Sequence, residues 1–226
     1  MKNKLVKMNI VAGLILAGFL VGKKINAAEI GGSFFVGYNS ELTFRGVSSN
    51  QSSVQSSFDT DFSVGGFDIG LGGAVSTKDG PDDIRLGVDI GVSLLETIDT
   101  SIGFVNYSNN HLIGNSNEIY FEAGAEIILD VSARVYYNTD KSFETFEVSA
   151  GKGFELFDDY DLNISVAAGN TEINEERENY YTLSASASRE IAKNTVLFAG
   201  LAFTDVYGLG ESDAVTTVTV GVNHVF

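Results

Sequence analysis

The sequence predicts an all-β protein: a transmembrane, antiparallel, up-and-down β-barrel of twelve strands behind an N-terminal signal peptide. Three observations lead there. Apolar and polar residues alternate with a period of two through most of the chain, the spacing at which strand side chains pass from one face to the other. The connections between these segments are alternately short and long, as in membrane barrels with tight turns on one side and longer loops on the other. The chain ends on the amphipathic stretch Val218-Thr219-Val220-Gly221-Val222-Asn223-His224-Val225-Phe226. Phe226 matches the terminal aromatic that outer-membrane barrels carry as an assembly signal.

Residues 1–28 come first. Lys2, Lys4 and Lys7 precede an apolar run from Met8 to Val21, and small residues follow near Ala27 and Ala28. Positive head, short apolar middle and small-residue end describe a secretory signal peptide. The run is short for a spanning helix, which needs about 20 apolar residues. The full chain has 14 Lys+Arg against 30 Asp+Glu, a net charge of −16. The leader holds five lysines and no acid, so cleavage leaves nine cations against 30 acids, a net charge of −21.

The barrel occupies residues 29–226. Its first strand is read at Ser33–Arg45, where Phe34, Val36, Tyr38, Leu42 and Phe44 share one parity and Ser33, Asn39, Glu41, Thr43 and Arg45 the other. In the second, Phe58, Phe62 and Val64 oppose Asp59, Asp61 and Ser63. The third centres near 71; in the fourth, Ile84, Leu86, Val88, Ile90 and Val92 oppose Arg85, Gly87, Asp89 and Gly91. The fifth centres near 102, and in the sixth Ile119, Phe121, Ala123 and Ala125 oppose Glu118, Tyr120, Glu122 and Glu126. Arg134 and Glu147 fall on the polar parity of the seventh and eighth, centred near 134 and 148. The ninth to twelfth centre near 164, 184, 199 and 220. Thr195–Thr204 is apolar on both parities, which leaves its facing open.

Short connections are expected at Gly65-Gly66, Leu95–Thr97, Ile128–Asp130, Glu155–Asp159 and Glu190–Asn194. Longer polar ones are expected at Gly46–Val54, Thr77–Asp83, Asn106–Asn117, Asn170–Asn179 and Asp205–Asp213, with Thr139–Ser142 the one short exception on that side. Aromatics near strand ends on the apolar parity (Phe34, Phe44, Phe67, Phe104, Tyr137, Tyr160, Phe226) stand where interfacial girdles belong. A bacterial outer-membrane location follows, with outer-membrane lipid, lipopolysaccharide and, through the last strand, the barrel assembly machinery as partners.

Composition removes several functions. With no cysteine there is no disulfide framework, thiolate metal site or cysteine nucleophile. An acidic chain whose few cations cluster in the leader is not a nucleic-acid binder, because phosphate recognition needs grouped Lys and Arg. No cofactor motif appears. The acidic connections Asp79/Asp82/Asp83, Glu172/Glu175/Glu176/Glu178 and Asp205/Glu211/Asp213 have no EF-hand spacing and read as solvated surface. His111 and His224 are the two histidines, and neither has a hydrolase motif around it. One carboxylate pair, Glu41 and Asp59, is a candidate for facing across the first two strands.

If the apolar face meets lipid, the polar parity lines the lumen. The selectivity residues predicted there are Glu41, Arg45, Asp59, Asp61, Arg85, Asp89, Glu118, Glu122, Glu126, Arg134 and Glu147. With Asp68, Asp99 and Asp161 the lining holds eleven acids against three arginines. Acidic pore linings favour cations. Glu41/Arg45 and Arg85/Asp89 are spaced for internal ion pairs, and lumen-parity glycines such as Gly37, Gly70, Gly72, Gly87 and Gly103 leave room inside.

Ser40-Glu41-Leu42-Thr43-Phe44-Arg45-Gly46-Val47-Ser48 resembles the N-terminal signature of the TorF-type porin family, proteobacterial outer-membrane β-barrel proteins. That signature reads Ser-x-Tyr-x-Phe-Arg-Gly-x-Ser, and Leu42 stands here where an aromatic is usual. The resemblance covers about nine residues and implies a porin-like protein. On its pattern Phe44 anchors the outer interface, Arg45 turns into the barrel mouth and Gly46 lets the chain bend. The expected function is passive diffusion of small solutes, cations favoured, without enzymatic chemistry. The alternatives are a structural or surface-interaction barrel with a filled lumen and, behind it, an outer-membrane hydrolase.

Overall fold

Antiparallel pairing closes the alternating segments into a ring. The computed structural model describes residues 30–41, 43–45, 47–48, 51–78, 82–95, 97–110, 113–140, 144–157, 160–173, 176–207 and 214–226; the leader expected at residues 1–28 lies outside them. The strands are β1 (Ile30–Asn39), β2 (Thr43–Phe44), β3 (Val47–Ser48), β4 (Ser53–Val64), β5 (Phe67–Thr77), β6 (Asp83–Leu95), β7 (Ile98–Asn110), β8 (Gly114–Glu126), β9 (Asp130–Asn138), β10 (Glu144–Phe157), β11 (Tyr160–Ile173), β12 (Glu176–Ala192), β13 (Thr195–Tyr207) and β14 (Val215–Val225). β1 and β4–β14 form a closed twelve-stranded barrel in chain order, and β2–β3 form a separate two-stranded ribbon. Closure is made where β1 pairs with β14, from Ser33↔Val225 to Asn39↔Thr219. Beyond the last paired residue the Phe226 N–H donates to the Gly32 carbonyl. A Cβ on Gly32 would lie 2.6 Å from the Phe226 ring, so the terminal aromatic sits on the seam because that position is glycine.

The packing is inverted relative to a water-soluble barrel. Among the described residues only Ala74, Tyr107, Ile113 and Tyr180 are buried hydrophobics, while Phe34, Phe58, Phe104, Phe121, Leu183 and Leu201 stand exposed on the outside. Apolar atoms outside and polar ones inside are the arrangement that lipid stabilises. The expected girdle residues Phe34, Phe67, Phe104, Tyr137, Tyr160 and Phe226 are all exposed; the side chain of Phe44 lies outside the description. A two-residue hairpin joins β4 to β5 through Gly65 and Gly66 at φ +60° and +87°, the left-handed pair that such a turn requires and glycine adopts without strain.

Three expectations change and one open facing is settled. The first strand does not continue to Arg45: β1 stops at Asn39, and Thr43–Phe44 pairs instead with Val47–Ser48. The polar stretch at 170–179 is not a loop, since β11 and β12 stay paired out to Ile173↔Glu176. β7 and β8 likewise extend to Asn110↔Gly114. The ladder satisfies the backbone whatever side chains it carries, so polarity marked a loop where pairing continues. The eleventh segment, β13, turns Leu197, Leu201, Phe203 and Tyr207 outward. Phe198 and Thr204 then face the lumen, a choice made by its register with β12 and β14.

Candidate functional site: the barrel lumen

Alternation carries Asp59, Asp61, Arg85, Asp89, Glu118, Glu122, Glu126, Arg134 and Glu147 onto the inner face. Their neighbours Phe58, Ile84, Ile90, Ile119, Phe121, Val135 and Val148 are exposed outside. Glu41 lies past the end of β1, in the segment leading to the ribbon.

Arg45 is the residue that organises the mouth. It sits between β2 and β3 at φ +48°, a left-handed conformation that costs a non-glycine residue about 1–3 kcal/mol and persists only where its surroundings hold it. Its guanidinium makes a two-pronged ion pair with Glu118 of β8, with Nη1 donating to Oε1 at 2.9 Å. The same group lies 3.8 Å from the centroid of the Tyr136 ring of β9 and donates to Thr145 Oγ1 of β10 at 3.5 Å. β9 is six strands from β1 around the ring in either direction. A residue tethered to the end of β1 is therefore fastened to the opposite wall, and it spans the mouth. The pair is dry: side-chain exposure is 6% for Arg45 and 0% for Glu118. Burial on its own would lower the Arg45 pKa, but the bonds and charge of Glu118 more than offset it and hold the group above its ordinary value.

A second arginine continues this network. Register sets Arg134 directly opposite Glu122 on one side and Glu147 on the other. Arg134 takes Glu122, with Nε donating to Oε2 at 3.0 Å, and donates to the Tyr136 hydroxyl at 2.9 Å. Glu147 accepts instead from the Tyr180 hydroxyl of β12. Tyr136 thus has one arginine over its ring and another on its oxygen. Tyrosines 107, 120, 136 and 180 and Thr145 were not singled out from the sequence. The signal available for the tyrosines was an aromatic ring on the inward parity, wide enough to cover a neighbouring strand and carrying a hydroxyl to satisfy.

Beside this network the lumen is less occupied. A cavity of about 300 Å³ is bordered by Asp59, Asp61, Asp89, Arg85 and Arg134 with Gly70, Gly72 and Gly87 among its walls. Among the described residues Arg85 makes no salt bridge, so the expected Arg85/Asp89 pair does not form; Asp89 lies beside Tyr120. Not every lumen glycine opens space. The Phe35 ring covers Gly37 and the Tyr120 ring covers Gly103, where a Cβ would lie 2.3 Å from ring atoms in each case. The carboxylate pair Glu41 and Asp59 is also excluded, because Asp59 pairs level with Ser33. About 20 Å of strand separates that level from the end of β1 near Glu41. His224 is on the outer face, its Nδ1 2.9 Å from Thr195 Oγ1, and His111 lies outside the described residues. In the acidic connections, Asp83 pairs with Lys78 at 2.9 Å.

A closed ring of twelve antiparallel strands with an apolar exterior and a charged interior defines a membrane barrel of porin fold. Solved structures agree. The chain is similar to the KdgM porin, with a TM-score of 0.58 at 13% identity over 86% of this chain and 99% of that one. It is similar to the COG4313 outer membrane channel from Pseudomonas putida F1, with a TM-score of 0.58 at 10% identity over 89% and 97%. The NanC porin gives 0.52 at 11% identity over 88% and 99%. At these identities the likeness is one of fold. No protein-family model matches the chain, and no curated protein resembles it in sequence.

Proposed function

We propose that the protein is an outer-membrane, porin-like channel for passive diffusion of small solutes, leaning to cations. The carrying observation is the balance of charge inside. Arg45 and Arg134 are each neutralised by a glutamate, while Asp59, Asp61 and Asp89 face the cavity with Arg85 as the one further guanidinium there. An uncompensated acidic lining in a low-dielectric tube concentrates cations and repels anions. Selection is by width and field, and no bond is made or broken.

The TorF-type resemblance supports the same reading, since its Arg45 is the residue that crosses the mouth. Lipid and lipopolysaccharide around the exposed girdle, and assembly machinery recognising the Phe226 strand, are the partners this location entails. Planar-bilayer recording under a salt gradient tests it. A reversal potential of the sign for cation preference is expected; anion preference at neutral pH would refute the selectivity. One observation favours a second reading, a filled barrel that works through its loops: the buried Arg45–Glu118 pair closes part of the mouth. Zero conductance with loop-dependent ligand binding would select it.

A further inference from the structure

We infer that the lumen holds a binding subsite for small zwitterions of amino-acid to dipeptide size, between Arg85 and the carboxylates of Asp59 and Asp89. This deepens the channel reading and rests on the water-accessible lumen that reading requires. Three strands present a small tile to the interior. Register aligns Ser57, Ala74 and Arg85 in one row, Asp59, Gly72 and Gly87 in the next, and Asp61, Gly70 and Asp89 in the third. The centre of the tile has no side chains, and the charges stand at its edges.

The glycine floor has a use. A Cβ on Gly70 would lie 2.8 Å from the Asp89 carboxylate, and one on Gly72 would lie 2.6 Å from Asp59 Oδ1. Both carboxylates therefore lean over β5 from its two neighbouring strands and converge above the floor. Among the described residues neither makes a salt bridge, and neither does Arg85, while the lumen's other described arginines are committed to glutamates. All three groups border one cavity of about 300 Å³, the lower end of the range for small-molecule sites. Strand spacing and rise put the Cα atoms of Asp59 and Arg85 about 12 Å apart. Arg85 and the two carboxylates line the same cavity without an ion pair between them among the described residues, so that cavity carries both signs of charge on its walls. A free cation meets only the acids and is repelled by Arg85; a free anion meets the reverse. A molecule carrying an ammonium at one end and a carboxylate at the other satisfies both ends with charge-assisted hydrogen bonds.

The test is equilibrium dialysis of the folded barrel in detergent, at low salt, with labelled alanyl-alanine and with alanyl-alanine amide, which lacks the carboxylate. The expected result is saturable binding of the dipeptide that Arg85→Gln weakens about tenfold or more, with no such loss for the amide. Gly72→Val, which fills the floor without changing charge, should weaken both probes. Absence of saturable dipeptide binding, or an Arg85→Gln effect equal on both probes, overturns the subsite. Bilayer conductance measured on the same preparation separates the two ideas: a barrel that conducts without binding refutes the subsite alone, and one that binds without conducting refutes the channel alone.

Discussion

Removing either half of the Arg45–Glu118 pair should loosen the mouth and shift ion selectivity in opposite directions. The magnitude follows from exposure. Surface ion pairs are worth about 0–1 kcal/mol, but at 6% and 0% side-chain exposure this pair is not on a surface. Breaking a buried pair by deleting one partner costs about 3–5 kcal/mol, because the remaining charge is stranded. Arg45→Ala strands Glu118, and Glu118→Ala strands Arg45, so each single variant should lose about that much. The double variant strands nothing and should lose less than the sum by about 2–3 kcal/mol. The chain has no tryptophan, so urea unfolding in lipid vesicles is followed by circular dichroism. Bilayer recording supplies an independent sign. Arg45→Ala leaves an extra negative charge at the mouth and strengthens cation preference; Glu118→Ala leaves a positive one and weakens it. All three variants should conduct more than the native barrel, since the crossing residue is released or gone. Singles that sum to the double within about 0.5 kcal/mol, or selectivity shifts of the same sign, would refute a strap held by this pair.

The triple variant Asp59→Asn/Asp61→Asn/Asp89→Asn should abolish the cation preference seen in the reversal potential under a salt gradient, because the three acids bordering the cavity are then neutral while Arg85 stays charged. Tyr180→Phe removes the bond to Glu147 from a residue 2% exposed and should cost about 1.5–3 kcal/mol in the same unfolding assay. Phe226→Ala empties the contact on Gly32 at the β1–β14 seam and should lower the folded fraction seen as a heat-modifiable gel band. The current–voltage curve of a single oriented channel should rectify, since neutralised pairs lie toward the mouth while Asp68, Asp99 and Asp161 lie near the opposite turns; a linear curve would count against that layout.

Facing was legible in the sequence because it needs only the period of two. Phe58 against Asp59, Ile90 against Asp89 and Phe121 against Glu122 are ordered by the pleat alone, whatever strand lies beside them. Where both parities are apolar the argument has nothing to act on, and β13 needed its pairing with β12 and β14 to turn Phe198 inward. Strand ends were hidden for a different reason. Ser40 and Glu41 carry no breaker, so alternation ran on through Arg45, whereas the backbone leaves the wall after Asn39. The Ser40 N–H still donates to the Val218 carbonyl at 2.8 Å, one residue past the end of β1.

Partnership was not legible, because it depends on register and on what crosses the lumen. Nothing in the sequence near Arg45 points to Glu118, its ion-pair partner 73 residues away. Arg134 illustrates the point within the wall: register places it between Glu122 and Glu147, and only the Tyr180 hydroxyl on Glu147 explains why Glu122 is the partner it takes. Each such choice neutralises one charge and leaves another bare. The number of acids in the lining could be read from the chain, but the field inside the barrel is set by which acids remain unpaired. Among the described residues Asp59, Asp61 and Asp89 are acids without a salt bridge beside a glycine floor, the part of the lumen where a passing solute meets carboxylates that no arginine or lysine has neutralised.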